Sequence, residues 1–183
     1  MLESGFLSYK EVIQFWFEEI NPQQQWAKDD QFDALIRKNF GALHKLASGN
    51  KLKSWRNHHE SALAEIIILD QFSRNIYRGS SKAFENDTLS LQLSQEAIDK
   101  KFDDLLEKRK ILFLYMPFMH SEEKEIHTKA IELFKKRNLN LEYELKHKSI
   151  IDRFGRYPHR NKIIGRKSTK EEIEFLATPN SSF

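Results

Sequence analysis

The chain has 183 residues, with no cysteine, only six glycines and only four prolines. The missing thiols exclude disulfides, thiolate metal sites and a cysteine nucleophile, and they fit a reducing compartment. The few glycines and prolines disfavour a turn-dense all-β fold. The longest uncharged apolar run near the middle, Ile111 to Met119, is interrupted by Pro117 and falls far short of the roughly 20 residues of a membrane-spanning helix. Met1 to Gly5 lacks a basic region ahead of an apolar stretch, so we predict no signal peptide, no membrane insertion and a cytoplasmic location.

Helical periodicity dominates what is present. A capping box at Ser8 to Glu11 predicts a first helix, and Ser168 to Glu171 predicts a last helix that runs to about Ala177. Pro117 predicts a helix end at Met116, and Gly155 predicts another. Further helix starts are predicted at Asp29 or Asp30, about Glu60, Asp87, Asp103, Ser121, and Asn138 or Asn140. Core-facing stripes are predicted at Phe32, Leu35, Ile36, Phe40, Leu43 and Leu46, and at Tyr143, His147, Ile150 and Phe154.

The pattern predicts an all-α fold of about eight helices with no convincing strand. Short links between helices favour antiparallel neighbours, so helical hairpins should stack on one another. The length predicts a single domain over residues 1–183, with residues 178–183 as a frayed tail. The helix-free stretch between Gly155 and Ser168 is long for a loop in a compact domain and is therefore expected to be functional or disordered. Its aromatic and aliphatic residues predict that it is packed.

Three polar blocks stand out, and the first is Asp70 to Gly79. It follows the apolar run Ile66 to Leu69, so its polar side chains emerge at the end of a buried helix and could form the floor of a pocket. The alternative is structural. Asp70 and Arg74 would pair at helical spacing, and Arg78 would cap exposed carbonyls.

The second block, Tyr115 to Glu122, places His120 just before a predicted helix N-terminus. A positive helix end favours the neutral imidazole, which can act as a base, a hydrogen-bond donor or a ligand. The alternative is a histidine that only orders the turn.

The third block, Arg153 to Asn161, lies in the most basic segment of the chain. Lys146 to Lys170 carries nine Lys or Arg and one acid, a formal charge of +8, whereas the whole chain is +3 and the remainder is therefore −5. Arginine matches phosphate and carboxylate geometry, and unpaired buried charge is costly. Either acids elsewhere in the fold neutralise these arginines, or a ligand does. The alternative is that the basic run is simply solvated at the surface.

Together the three blocks, with Gly165 to Thr169, resemble the signatures of the bacterial domain-of-unknown-function family 924. The resemblance runs from Val12 onward, and it departs at Ser73, where proline is expected. It implies an all-α fold similar to the right-handed superhelix of tetratricopeptide-repeat proteins. It implies no established activity and carries over no catalytic residue.

We predict that the three blocks converge on one concave site that binds an anionic small molecule or an acidic peptide. The alternatives are an enzyme that uses His120 or His159 as acid/base in the same pocket, with Asp70 or Glu122 orienting it, and a protein-interaction scaffold. We predict no metal and no cofactor, because no ligand pair has metal-binding spacing. Nucleic acid is disfavoured as a partner, since the basic segment lacks interleaved aromatics. Catalytic residues, oligomeric state and ligand identity stay open. The candidate ligand-binding residues are Asp70, Arg74, Asn75, Arg78, Tyr115, His120, Glu122, His147, Arg153, Arg156, His159, Arg160 and Asn161.

Overall fold

A computed structural model describes residues 8–179 and residue 181, and the regular elements in this part of the chain are helical throughout. The predicted all-α class is confirmed. The absence of a signal sequence at Met1 to Gly5 was predicted for residues outside the described part, as was half of the frayed tail, namely Asn180, Ser182 and Phe183. None of the described helices is both long enough and apolar enough to cross a membrane.

The α-helices are α1 (Tyr9–Gln14), α2 (Asp30–Ser48), α3 (His59–Ile67), α4 (Ser73–Ile76), α5 (Asp87–Asp99), α6 (Lys108–Met119), α7 (Lys124–Lys136), α8 (Glu142–Phe154) and α9 (Lys170–Leu176). Two π-helical turns extend this set: Phe15–Glu19 continues α1, and Ile68–Phe72 joins α3 to α4. Short 3₁₀ turns lie at Pro22–Gln25, Lys53–Asn57, Ser81–Ala83, Phe102–Asp104 and Pro158–Arg160.

The chain divides into two compact units. Unit 1 contains the chain up to Arg78 and Lys82–Pro117, and unit 2 contains Gly79–Ser81 and the chain from Phe118 onward. The single domain and the repeat-like superhelix stay predictions.

The core of unit 1 is aromatic. Phe15 stacks on Phe32 and lies 4.9 Å from Phe40, while Trp16 makes an edge contact with Phe72 at 5.4 Å. All five side chains are at most 6% exposed. Helix α2 presents its predicted stripe to this core after a cap at Asp29, whose Oδ1 accepts hydrogen bonds from the backbone of Gln31 and Phe32. The core is therefore built from rings that recur at helical spacing.

The stripe of α2 is narrower than predicted, because Leu35 is 42% exposed. The buried seam takes Phe32, Ile36 and Phe40 at steps of four residues, and Leu35 lies one helical step of 100° to the side. The prediction that Tyr143 lies on a core-facing stripe is also wrong, because its side chain is 58% exposed.

Predicted helix boundaries are wrong by up to five residues. Asp103 was predicted to open α6 but lies in the 3₁₀ turn Phe102–Asp104, and α6 begins at Lys108. Pro117 lies inside α6 and does not end it. The missing N–H of Pro117 removes the helical hydrogen bond to the carbonyl of Phe113, and the helix nevertheless continues for two more residues. Ser121 accepts a hydrogen bond from the backbone N–H of Glu123 at 3.1 Å, and α7 begins at Lys124. The last capping box uses Thr169 and Glu172, one residue beyond the predicted pair.

The core of unit 2 lies under the segment that follows α8. Gly155 ends α8 with φ of +67°, a left-handed conformation that favours glycine. The chain then turns inward, so that Tyr157 is 1% exposed and packs with Ile150 and Ile151. Pro158 is also buried. The prediction that this helix-free segment is packed is confirmed.

Candidate functional site

The first polar block lies in unit 1, where Arg78 and Asn75 converge on one carboxylate. Arg78 donates to Asp33 through Nε at 2.5 Å and through Nη2 at 2.8 Å, and Asn75 Nδ2 donates to Asp33 Oδ1 at 2.8 Å. Burial opposes ionisation of Asp33, but these hydrogen bonds and the charges of Arg78 and Arg37 lower its pKa overall. The prediction that Arg78 caps carbonyls is therefore corrected, because its guanidinium is held by a distant acid.

The predicted pair of Asp70 and Arg74 is present in unit 1. Arg74 Nη1 lies 3.3 Å from Asp70 Oδ1, and its Nη2 lies 3.1 Å from Asp87 Oδ1. Asp70 is 1% exposed, sits on the π-helical turn, and also accepts from Gln71 Nε2 at 2.6 Å. The hydroxyl of Tyr115 donates to Asp103 at 2.6 Å. The structural alternative for the first block is therefore confirmed for the Asp70–Arg74 pair.

The arginines of the basic segment in unit 2 meet acids in the same way. Arg153 Nε donates to Glu171 at 2.8 Å, and Arg166 grips both oxygens of Glu122 at 2.6 and 2.8 Å. The sequence left open whether acids of the fold or a ligand neutralise these arginines, and carboxylates of the fold neutralise Arg153 and Arg166.

Glu172 is the main anchor of the segment between α8 and α9. Its carboxylate is 2% exposed and accepts from Arg156 at 2.6 and 2.8 Å, from Thr169 N at 2.7 Å and from Asn161 Nδ2 at 3.2 Å. These contacts, with Arg156 the largest cause, lower the pKa of Glu172 to about 2, against an opposing effect of burial. The side chains of Arg156 and Asn161 therefore connect this segment to α9 through the Glu172 carboxylate.

Glu122 is a second anchor of the same segment. It accepts from the backbone N–H of Tyr157 at 2.8 Å as well as from Arg166. Burial raises the pKa of Glu122, but hydrogen bonds from Arg166 and Tyr157 outweigh burial, and the charges of Arg166 and Arg160 lower the pKa further. Two guanidinium groups therefore act on this one carboxylate.

An imidazole cluster lies beside these anchors, and we define it as His120, His147, Tyr157, His159 and Arg160. The ring of Tyr157 is its centre, with the guanidinium carbon of Arg160 at 4.6 Å and the rings of His159 and His147 at 5.5 and 5.8 Å. The ring of His120 lies 6.3 Å from that of His147. His147 and Arg160 are 6% and 7% exposed, whereas His120 and His159 are half-buried and reach the surface.

The His147 ring of this cluster is neutral near pH 7. Burial is the largest cause that lowers its pKa, to about 3, and the nearby His120, His127 and His159 act in the same direction. Its Nδ1 lies 2.7 Å from the carbonyl of Tyr143, which can only accept. The neutral ring therefore carries its proton on Nδ1 and its lone pair on Nε2.

A buried acid–histidine pair lies under the cluster and was missed by the sequence reasoning. His127 Nδ1 is 2.8 Å from Glu144 Oε1, and both side chains are fully buried. The signal was available, because His127 lies on the apolar stripe of α7 with Ala130 and Phe134. A histidine at a core position of an amphipathic helix indicates a buried polar partner.

Unit 2 thus contains eight of the predicted residues, and the other five belong to unit 1. Their convergence in one shared pocket stays a prediction. Among the described residues no group of three or more histidines and acids is arranged to hold a metal ion. The residues of unit 2 are His120, Glu122, His147, Arg153, Arg156, His159, Arg160 and Asn161, and those of unit 1 are Asp70, Arg74, Asn75, Arg78 and Tyr115.

The fold and these blocks define a bacterial all-helical family without an assigned activity. The profile of the bacterial proteins of unknown function called DUF924 matches residues 12–180, and the chain belongs to this family. It is similar to the structure of the protein of unknown function ATU0120 from Agrobacterium tumefaciens, with 32% sequence identity and a TM-score of 0.87. That match covers 92% of this chain and 96% of the other. No curated protein matches the chain.

Proposed function

We propose that the imidazole cluster of unit 2 binds a small oxyanion, a ligand with a phosphate or carboxylate head group. The observation that carries this proposal is the gathering of the imidazoles of His147 and His159 and the guanidinium of Arg160 around the ring of Tyr157, with the ring of His120 next to that of His147. The half-buried His120 and His159 provide the contact with solvent through which a ligand would enter.

Arg160 suits this role because of how it is held. Its guanidinium lies over the face of Tyr157, and one Nη2–H donates to the carbonyl of His120 at 3.1 Å. Stacking uses the face of the planar group and directs its N–H donors outward in the plane, the geometry that matches an oxyanion.

The other arginines of the basic segment have a different role in this account. Arg153, Arg156 and Arg166 hold carboxylates on α9 and before α7, so they shape the segment that carries His159 and Arg160. The proposal is accordingly narrower than the sequence prediction, with His120, His159 and Arg160 as the ligand contacts.

The test is calorimetric titration with inorganic phosphate. The parent should release or absorb heat with a saturable isotherm, and His159→Gln should raise the dissociation constant about tenfold, the loss of roughly one hydrogen bond to a charged group. His59→Gln in unit 1 is the matched control and should bind like the parent. No saturable heat in the parent, or equal weakening in both variants, would refute the proposal.

An acidic peptide is separated from a small anion in the same experiment. Titration with a short capped oligoglutamate should give weaker binding than phosphate, because the exposed part of the cluster is limited to two rings. Tighter binding of the peptide would instead favour an acidic protein segment as the partner.

Acid–base catalysis at the same cluster is the second candidate. It is favoured by the neutral His147 with its lone pair on Nε2, next to the half-buried ring of His120. Hydrolysis of p-nitrophenyl phosphate that is lost in His120→Gln would support an enzyme, and phosphate binding without any turnover would support a binding protein. The cytoplasmic location stays a prediction that cell fractionation would test.

A further inference from the structure

Three consecutive backbone carbonyls around His120 are each held by a different side chain of unit 2. The hydroxyl of Tyr157 donates to the carbonyl of Met119 at 2.5 Å, Arg160 Nη2 donates to that of His120 at 3.1 Å, and His127 Nε2 donates to that of Ser121 at 2.9 Å. We call the three donor residues, Tyr157, Arg160 and His127, the carbonyl clamp.

The position of the clamp in the chain makes it informative. Helix α6 ends at Met119, and the last carbonyls of a helix have no partner within the helix. Such carbonyls usually meet water or a glycine-based cap. Here two of the three donors come from the segment after α8, 38 and 40 residues away in sequence. The clamp therefore fixes the direction in which the backbone of His120 leaves α6.

The third donor of the clamp is the Nε2–H of His127, and it is present whether or not the His127–Glu144 pair is ionised. His127 Nε2 faces a carbonyl and lies 3.4 Å from the hydroxyl oxygen of Tyr157, whose proton is given to Met119. Nε2 must therefore carry a hydrogen, and a single proton lies between His127 Nδ1 and Glu144. The pair keeps Nε2–H directed at Ser121 whether it exists as an ion pair or as a neutral acid and imidazole.

Burial keeps the imidazole of His127 in place. Both side chains are fully buried, and burial is the main cause that raises the pKa of Glu144, against the opposing hydrogen bond from His127. A buried carboxyl that leaves its partner would lose that hydrogen bond without gaining water. The pair is thus a rigid support under the turn.

We infer that Tyr157 and the His127–Glu144 pair are positioning residues for His120, one of the side chains that contact the ligand, and that Arg160, itself a ligand contact, also holds the backbone of His120. This inference rests on the proposed oxyanion site. It assigns the buried pair a use, since the pair itself has no surface on which to meet a ligand. It also explains why a tyrosine hydroxyl, a guanidinium and an imidazole converge on one turn.

The experiment compares Tyr157→Phe with the matched control Tyr143→Phe. The first removes the hydroxyl that holds Met119 and keeps the ring on which Arg160 lies, while Tyr143 is 58% exposed. We expect Tyr157→Phe to weaken phosphate binding about fivefold, as for the loss of one buried hydrogen bond. It should also shift the ring resonances of His120 in a histidine-labelled carbon–proton spectrum. Tyr143→Phe should change neither.

A second pair of variants covers the case in which Tyr157→Phe does not fold. In Glu144→Gln the amide N–H can donate to Nδ1 of a neutral His127, so Nε2–H still reaches Ser121 and His120 should keep its parent resonances. In Glu144→Leu this support is lost, and we expect shifted resonances of His120 together with weaker phosphate binding.

The outcomes separate the two claims. If the parent binds no phosphate, the proposed function fails, and the ring resonances of His120 alone decide whether the clamp positions it. Unchanged His120 resonances in folded Tyr157→Phe, or the same behaviour of Glu144→Gln and Glu144→Leu, would overturn the positioning inference even if phosphate binds.

Discussion

The buried His147 should make the protein lose stability in mild acid. Its ring is 6% exposed, and burial lowers its pKa to about 3. In the unfolded chain a histidine titrates near 6.5. Between these two values the unfolded state takes up a proton that the folded ring does not accept. The contribution of His147 is therefore complete above about pH 6.5, falls as the pH is lowered and levels off below about pH 3.

The size of the effect follows from the two pKa values. At pH 5 the unfolded state gains about 2 kcal/mol relative to pH 8 through this one ring, because each pKa unit is worth about 1.4 kcal/mol. His44, whose pKa burial lowers to about 4, acts in the same direction.

The perturbation that isolates His147 is His147→Asn, since the Asn amide can still donate to the carbonyl of Tyr143. Urea denaturation followed by circular dichroism at pH 8 and pH 5 gives the free energy of unfolding. The parent should lose about 2 kcal/mol more between these pH values than the variant.

The matched control for this measurement is His58→Asn. His58 is exposed and accepts the backbone N–H of Glu60 at the start of α3, a cap that asparagine can replace. This control should keep the pH dependence that His147 provides. Equal losses in the parent and in His147→Asn would refute the assignment of a buried neutral ring.

Two further predictions concern the segment between α8 and α9 and its supports. Gly155→Ala should destabilise the fold by about 1 kcal/mol, because the φ of +67° at this position is unfavourable for a residue with Cβ. Gly41→Ala inside α2, where an added Cβ meets nothing within 4 Å, should instead stabilise the fold by about 0.5 kcal/mol. Urea midpoints that move in the same direction in both variants would contradict this. Glu172→Gln should lower the free energy of unfolding by roughly 2 kcal/mol, because it weakens the buried charged hydrogen bonds with Arg156. The pKa of Glu172 is lowered to about 2 from its ordinary value of 4.5, so its contribution is present above pH 4.5 and lost as the pH falls through 2. Thermal unfolding between pH 7 and pH 2 should therefore show a flatter loss of stability in acid for the variant, and an unchanged loss would contradict the assignment.

The sequence predicted the helices well, because apolar periodicity and capping residues act over a few neighbouring residues. Asp29 caps α2 and Gly155 ends α8 as predicted. Pro117 was misleading because α6 continues through it despite the loss of one helical hydrogen bond. Boundaries of this kind depend on the last turn, where local rules compete.

The polar site was harder to predict, because its partners are distant in sequence. Arg78 and Asp33 are 45 residues apart, and Arg166 and Glu122 are 44 apart. No spacing rule connects such pairs, so the basic segment looked under-compensated when its acids were present elsewhere. Of the imidazole cluster, His120, His147, His159 and Arg160 were predicted as site residues, whereas Tyr157 at its centre and the His127–Glu144 pair below it were not.

Crystallography with a tetrahedral oxyanion that scatters anomalously, such as selenate or tungstate, tests the oxyanion site most directly. We expect an anomalous peak within hydrogen-bond distance of the Arg160 guanidinium and beside the rings of His120 and His159. Anomalous peaks only at exposed lysines such as Lys162 and Lys167, with none at the imidazole cluster, would contradict it.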